Sequence, residues 1–296
     1  MVKPNFMIVG VARCGTTSLF EYISNHPEIG MPKLKEPKYF SSIDLDLPQN
    51  GIADNTVFTR MIIERKNYYN LFDRFKGFKA IGEASSDYFY YYKNVIPRIK
   101  KELGDIKIII CLRNPIERSF SAYCNLLRDS REKLSFSDAL AHEQQRIDSN
   151  WDWMWHYKNG SIYFPAVKMF IEKFSKVKII LFDDLTSNPK KICSEVFEFL
   201  EVDKKYSPKE FPKYSFSGKP KNNLFSLLTT RNNKYIFFIR EVLLKFFPRK
   251  IIDNFSQILF SKEKIKNQDS IKLSLFFKND IYKLGNFIKR DLSKWI

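Results

Sequence analysis

Residues 6–19, Phe-Met-Ile-Val-Gly-Val-Ala-Arg-Cys-Gly-Thr-Thr-Ser-Leu, constrain the fold more than any other stretch of this chain. An apolar run with strand character reaches Gly10, a short turn carries Arg13 and Gly15, and an amphipathic segment opens at Thr16. Strand, glycine turn and helix start in that order make a phosphate cradle, because free backbone N–H groups and the helix dipole converge on one anion. The triphosphate-binding version of such a loop reads Gly, four residues, Gly, Lys, then Ser or Thr. Gly10 and Gly15 keep that spacing, but Thr16 stands in the lysine position and the only nearby cation is Arg13. The loop is expected to hold a phosphate without the lysine that grips a β/γ pair.

Strand and helix patterns alternate beyond it. Helices are expected over Thr16–Asn25 and over Thr56–Phe75, the latter with Phe58, Met61, Ile62, Tyr69 and Phe72 inward. A further helix over Tyr88–Leu103 is interrupted near Pro97, and others cover Pro115 to about Arg128, Ser135–Ile147, Gly160–Phe174 and Pro189–Leu200. Strands are expected at Lys79–Glu83, Ile106–Leu112 and Val177–Phe182, with loops at 29–40, 41–56 and 203–223. That alternation predicts an α/β chain of one domain over 1–296, a mostly parallel sheet flanked by helices, with extra C-terminal helices over about 222–296. Ligands in such sheets sit outside the carboxyl ends of the strands, here Gly10–Arg13, Gly82–Ser85, Leu112–Arg113 and Asp183–Asp184.

Bulk properties exclude more than they select. No apolar stretch is long enough for a membrane span, and no secretory signal precedes the first strand. Four scattered cysteines (Cys14, Cys111, Cys124, Cys193) and three scattered histidines suit reduced core thiols and give no metal site. A cytoplasmic protein is expected. The net charge of +17 fits either an anionic partner or a lysine-rich proteome. Charge is all that points to nucleic acid, for no reader motif is visible.

A second anion site lies at Cys111-Leu-Arg-Asn-Pro-Ile-Glu-Arg-Ser-Phe-Ser-Ala-Tyr123, where Arg113 leaves a buried strand and Ser121 follows in the next helix. A guanidinium fork with a hydroxyl suits a separate phosphate; pairing of Arg113 with Glu117 is the competing reading. Together the pieces resemble the sulfotransferases that use 3′-phosphoadenosine-5′-phosphosulfate (PAPS), especially bacterial members and those acting on heparan sulfate. Gly10–Thr17 looks like their 5′-phosphosulfate loop (10–18) and Leu112–Tyr123 like their 3′-phosphate motif. Lys35-Glu-Pro-Lys-Tyr-Phe40, Gly82-Glu-Ala-Ser-Ser-Asp-Tyr88, Asn159-Gly-Ser-Ile-Tyr163, Phe182-Asp-Asp-Leu185 and Arg290-Asp-Leu-Ser-Lys-Trp295 fall in the familiar order.

The resemblance implies a P-loop-like fold, PAPS as co-substrate and no required metal. Arg13, Cys14, Gly15, Thr16, Thr17 and Ser18 would then hold the 5′-phosphosulfate, and Arg113 and Ser121 the 3′-phosphate. Ser217, Gly218 and Lys219 would close over the nucleotide. Arg13 would place charge near the bridging oxygen, where the heparan sulfate enzymes usually carry lysine. Glu83 is the candidate general base, although Ala84 follows it where relatives often have lysine; pairing of Glu83 with Lys35 or Arg13 is the alternative. Lys35, Lys38 and Trp153 are candidate acceptor contacts, against plain solvation for the lysines and core packing for Trp151-Asp-Trp-Met-Trp155. His156 reads as a base or, more simply, as a structural histidine.

The implied acceptor is a glycan or a small compound with a hydroxyl or amine, with no specific nucleic acid partner. The run Tyr235–Phe247 with Pro248-Arg-Lys250 reads either as a peripheral membrane contact or as a packed amphipathic helix. The competing function is a magnesium-dependent P-loop kinase or NTPase. It rests on Ile179-Ile-Leu-Phe-Asp-Asp184, which has the look of a strand ending in metal-binding carboxylates.

Overall fold

Five strands form one sheet in the order β2-β3-β1-β4-β5, with every neighbouring pair parallel: β1 (Phe6–Gly10), β2 (Ile29–Gly30), β3 (Ala80–Ala84), β4 (Lys107–Leu112) and β5 (Val177–Leu181). The computed structural model describes residues 1–43, 45–58, 61–212, 219–220, 260–261 and 263–296. Every residue of β1 and β3 is buried, as is β4 from Ile108 onward. A sheet covered on both faces calls for continuous apolar strands rather than alternation, which is why Phe-Met-Ile-Val and Ile-Ile-Ile-Cys-Leu read as unbroken runs.

The cover comes from helices α1 (Thr16–Ile23), α2 (Tyr92–Leu103), α3 (Pro115–Arg128), α4 (Phe164–Lys173), α5 (Phe182–Ser187), α6 (Pro189–Leu200) and α7 (Asn267–Ile288). Helix α7 packs through Leu273, Phe277, Ile281 and Leu284, and its Asp280 accepts from the N–H groups of Tyr163 and Phe164 at 2.8 and 3.0 Å. The rest of the expected C-terminal helical part, with Tyr235–Phe247, lies outside the described residues.

Strand order sets the site. β1 is central, with β3 on one side and β4 on the other, and Phe6 pairs in register with both Gly82 and Lys107. The winding reverses at β1, so the segments leaving β1, β3 and β4 open at one edge, the switch-point crevice where ligands of such sheets bind.

Helices α3 and α6 have the bounds expected from sequence because their starts are set locally. Asn114 accepts from the Ile116 N–H at 2.9 Å and Asn188 from the Lys191 N–H at 3.2 Å, each with proline in the first turn. Ser135 caps its helix as expected, but that helix breaks at His142 into Phe136–Ala141 and Glu143–Asp148. The single helix expected over 56–75 is corrected to short pieces, Asn55–Phe58, Arg65–Asn70 and a 3-10 turn at Asp73–Phe75. Between the first two, the Ile62 N–H donates to Pro37 O at 2.9 Å, a tertiary bond that replaces helical pairing. Tyr69 and Phe72 are nonetheless fully buried. Helix α2 starts at Tyr92 rather than Tyr88 and continues through Pro97; residues before it turn so that the Phe89 N–H reaches Val9 O at 2.8 Å. The edge strand β2 falls in the expected loop 29–40, too short to carry a pattern.

Candidate active site

The loop after β1 is tied to β4 and left open towards α1. The Val11 N–H donates to Cys111 O at 2.9 Å, and the Cys14 N–H closes a turn onto Val11 O at 3.1 Å. Gly15 precedes α1 with φ 87°, and a Cβ there would lie 2.9 Å from Leu185 Cδ2, so both conformation and space require glycine. The first turn of α1 holds no acidic residue, and among the described residues no side chain caps it, which leaves its leading N–H groups for an anion. Thr16 is buried there, while Thr17 and Ser18 are half-buried. Cys14 does not join them: its thiol is buried 3.8 Å from Tyr163 Oη, and burial pushes it up to about 11, so it stays neutral.

Arg13 has φ 72°, and its side chain crosses to α3. Its Nε donates to Ser121 Oγ at 3.1 Å and its Nη1 to Asn125 Oδ1 at 3.2 Å. The two sequence motifs therefore meet through a side-chain hydrogen bond between residues 108 positions apart. Asn125 Oδ1 also accepts from Arg128 Nη2 at 3.0 Å. Arg113 donates from Nε and Nη2 to Glu117 Oε2 at 3.0 and 2.8 Å, the pairing that sequence left open, and lies 4.4 Å over the Phe182 ring. Burial, then repulsion from Arg128 and Arg113, pushes the Arg13 guanidinium down to about 9. The concentration of positive charge beside Ser121 is large.

On the other side of β1, Glu83 is the penultimate residue of β3 and is buried. Oε1 accepts from Tyr68 Oη at 3.0 Å and Tyr88 Oη at 2.9 Å, and Oε2 from Ser85 Oγ at 2.7 Å. Burial outweighs those three donors and pushes the carboxyl up to about 7. The alternative pairing is not formed: Lys35 pairs with Glu36 at 2.6 Å, and Arg13 faces α3. Glu36 also accepts from Ser86 N and Oγ at 2.8 and 2.9 Å. Lys38 is buried, its N–H donating to Ser85 Oγ at 3.1 Å. Burial disfavours its ammonium, but Asp87, Asp152 and Glu36 outweigh that and hold its pKa above the usual lysine value. Asp87 is itself pushed up to about 6 by burial.

Trp153 is only 4% exposed and its ring packs against Tyr90, so it takes the core-packing reading rather than forming an open stacking platform. Lys38 Nζ lies 6.0 Å from that ring. His156 Nδ1 sits 2.6 Å from Tyr90 Oη, and burial with the nearby Arg118 pushes the ring down to about 4, a neutral structural imidazole.

Residues 3–241 match the sulfotransferase domain family. The chain belongs to that family. A crystallised sulfotransferase from Alicyclobacillus acidocaldarius superimposes with a TM-score of 0.79 at 31% identity, covering 100% of this chain and 99% of that one. The membrane-associated sulfotransferase kil1 of Dictyostelium discoideum is 30% identical over 149 residues, 49% of this chain and 28% of kil1. Mouse heparan sulfate glucosamine 3-O-sulfotransferase 6 is 25% identical over 226 residues, 73% of this chain and 58% of that protein. This chain thus matches less than two-thirds of the length of either curated relative.

Within the sulfotransferase frame, the strand offered for the kinase reading is misplaced. Asp183 and Asp184 open α5 after β5, an edge strand separated from β1 by β4, and Asp184 pairs with Arg290 at 2.8 Å. Ser217 and Gly218 lie outside the described residues. Lys219 begins the two-residue strand β6 (Lys219–Pro220), which pairs antiparallel with β7 (Phe260–Ser261). Sequence reasoning missed Arg118. It is 1% exposed, and its Nε donates to Ala12 O at 3.2 Å while Nη1 reaches Ser161 Oγ at 3.2 Å. A Cβ on Gly160 would lie 2.6 Å from that Nη1. No spacing rule flags an arginine whose partners are a loop carbonyl and a distant serine.

Proposed function

We propose that this sulfotransferase-family chain moves a sulfuryl group from PAPS to a hydroxyl or amine of a carbohydrate or small-molecule acceptor, as one unit over 1–296. The observation that carries the reading is the Arg13–Ser121 hydrogen bond, which unites the loop after β1 with the helix after β4 at adjacent strand ends. The residues present fit such a donor, since two different groups on it must be held at once. Backbone N–H groups of Gly15 to Ser18, with the hydroxyls of Thr16, Thr17 and Ser18, suit the 5′-phosphate. Arg113 and Ser121 suit the 3′-phosphate.

PAPS supplies an activated sulfuryl group whose transfer calls for a base on the acceptor side. Glu83 is that base: with its pKa near 7 it is substantially ionised at neutral pH and still able to accept a proton. Tyr68, Tyr88 and Ser85 fix the orientation of its carboxylate. Lys35 and Lys38 lie in the same segment and are assigned to acceptor contact; the carbohydrate class draws on the named activity of the 3-O-sulfotransferase relative. Transfer without a metal belongs to the same reading. So does a cytoplasmic location, supported by four cysteines that are all buried and unpaired.

The test is thermal stability with 3′-phosphoadenosine-5′-phosphate in EDTA. Stabilisation by that product without magnesium is expected, as for any ligand selective for the native state. Stabilisation only by ATP with magnesium would falsify the donor assignment. An acceptor screen with labelled PAPS then tests the carbohydrate class.

A further inference from the structure

Helix α7 sorts its charges by face. Both of its acidic residues are engaged towards the protein: Asp269 is buried and accepts from Ser137 Oγ at 2.6 Å, and Asp280 accepts from the Tyr163 and Phe164 N–H groups. All three of its lysines, Lys272, Lys278 and Lys283, are exposed. Large apolar side chains stand among them, with Ile271 54% exposed, Leu275 70%, Phe276 50% and Tyr282 67%. Ile271, Leu275, Lys278 and Tyr282 recur at helical spacing, so they form one ridge about 16 Å long, turned away from the buried row Leu273, Phe277, Ile281 and Leu284.

A second copy of the chain matches that ridge poorly. Pairing α7 with itself would set lysines against lysines, with no outward carboxylate of the helix to meet them. An anionic bilayer matches it well: the apolar side chains enter the acyl boundary, while the lysine stems lie along it and their ammonium groups reach the headgroup phosphates. Lys158 adds a cation at the margin, its Nζ 5.9 Å from the Phe276 ring. The segment after α7 is tied to the strand-end crevice, for Arg290 pairs with Asp184 beyond β5 and Trp295 O accepts from Asn114 beyond β4. We propose that the outward face of α7 docks this enzyme on an anionic lipid bilayer as a peripheral contact. The surface belongs to a different segment from Tyr235–Phe247, and the inference stands whether or not PAPS is the donor.

The experiment is flotation of the full chain with vesicles of phosphatidylcholine alone, and with vesicles in which roughly one-third of the lipid is phosphatidylserine. Binding to the anionic vesicles should be at least about tenfold tighter and should weaken as salt is added. Replacing Lys272, Lys278 and Lys283 together by glutamine should cost about 100-fold, near fivefold per lysine. The same replacement at Lys190, Lys191 and Lys205, exposed on and beside α6 where it packs with α1, removes equal charge and should cost less than about threefold. Leu275→Ser with Tyr282→Ser keeps every charge and should still weaken binding at least about tenfold. In Leu275→Trp the indole emission should move to shorter wavelength on anionic vesicles. Equal losses from the two lysine sets, a serine variant that binds as wild type, or an unshifted indole would overturn the docking face, since net charge alone would then be acting. Absence of any preference for anionic vesicles overturns it as well. If light scattering then shows a dimer that the serine variant breaks, the ridge belongs to a second copy of the chain.

Discussion

The two flanks of β1 are built on opposite electrostatic plans. Towards β4, the Arg13–Arg113–Arg128 group is half-exposed, and one of its three cations has only neutral partners among the described residues. Towards β3, Glu83, Asp87 and Lys38 are buried, and Glu83 is held by three hydroxyl donors. One flank stands in need of an anion from outside; the other is organised internally and keeps a carboxyl poised near neutrality. Binding and proton transfer are thereby separated across a single strand, so substitutions on the two sides should leave different signatures.

The largest effect should come from the β3 side. Glu83→Gln keeps the shape and loses the base, so transfer should fall by about 10²- to 10⁴-fold. Binding of 3′-phosphoadenosine-5′-phosphate should stay within about threefold, since the lost interaction is not made to the donor. Turnover close to wild type would erase the contrast between the flanks. On the β4 side, Arg113→Ala should weaken that ligand roughly tenfold, by removing a charged hydrogen-bond donor, and leave adenosine 5′-phosphate almost unaffected. Isothermal titration with both ligands reads the difference.

The pH profile sharpens the comparison further. Glu83 is raised from 4.5 to about 7 in the folded state, so between those values the native protein binds more protons than the unfolded chain. Its contribution to stability therefore falls as pH rises through that window, by a few kcal/mol at most. Transfer should rise over the same interval as the carboxylate forms. Glu83→Gln should flatten that part of the stability curve, read by urea denaturation from pH 4 to 8. The smallest effect belongs to Glu117→Gln, which breaks an i,i+4 pair whose acidic partner is 55% exposed. A change under about 0.5 kcal/mol is expected, and a larger loss would mean that Arg113 depends on Glu117 for more than a surface pair.

Legibility of the sequence follows the range of the interactions that decide each feature. The buried strands, the glycine turn and the bounds of α3 and α6 depend on neighbours within a few residues: apolar runs, Asn114 and Asn188 as caps, prolines in the first turn. Thr56–Phe75 is a counterexample, because the Ile62 N–H is claimed by Pro37 O and the helical pattern yields to it. In the site, the pairing of Arg113 with Glu117 was readable at i,i+4 spacing. The packing of Trp153 was likewise one of the readings left open, whereas the hydroxyl cage on Glu83 was not readable.

Residue order alone determined a parallel sheet with a phosphate loop at one strand end, an arginine and a serine at another, and a carboxylate at a third. Those features need only periodicity, turn chemistry and the known preference for ligands at strand ends. Tertiary structure alone decided where the charges point. Arg13 reaches Ser121 across 108 residues and Arg118 reaches Ala12 across 106. The direction of a long, flexible side chain is set by what surrounds it once distant segments are packed, and no local pattern encodes that.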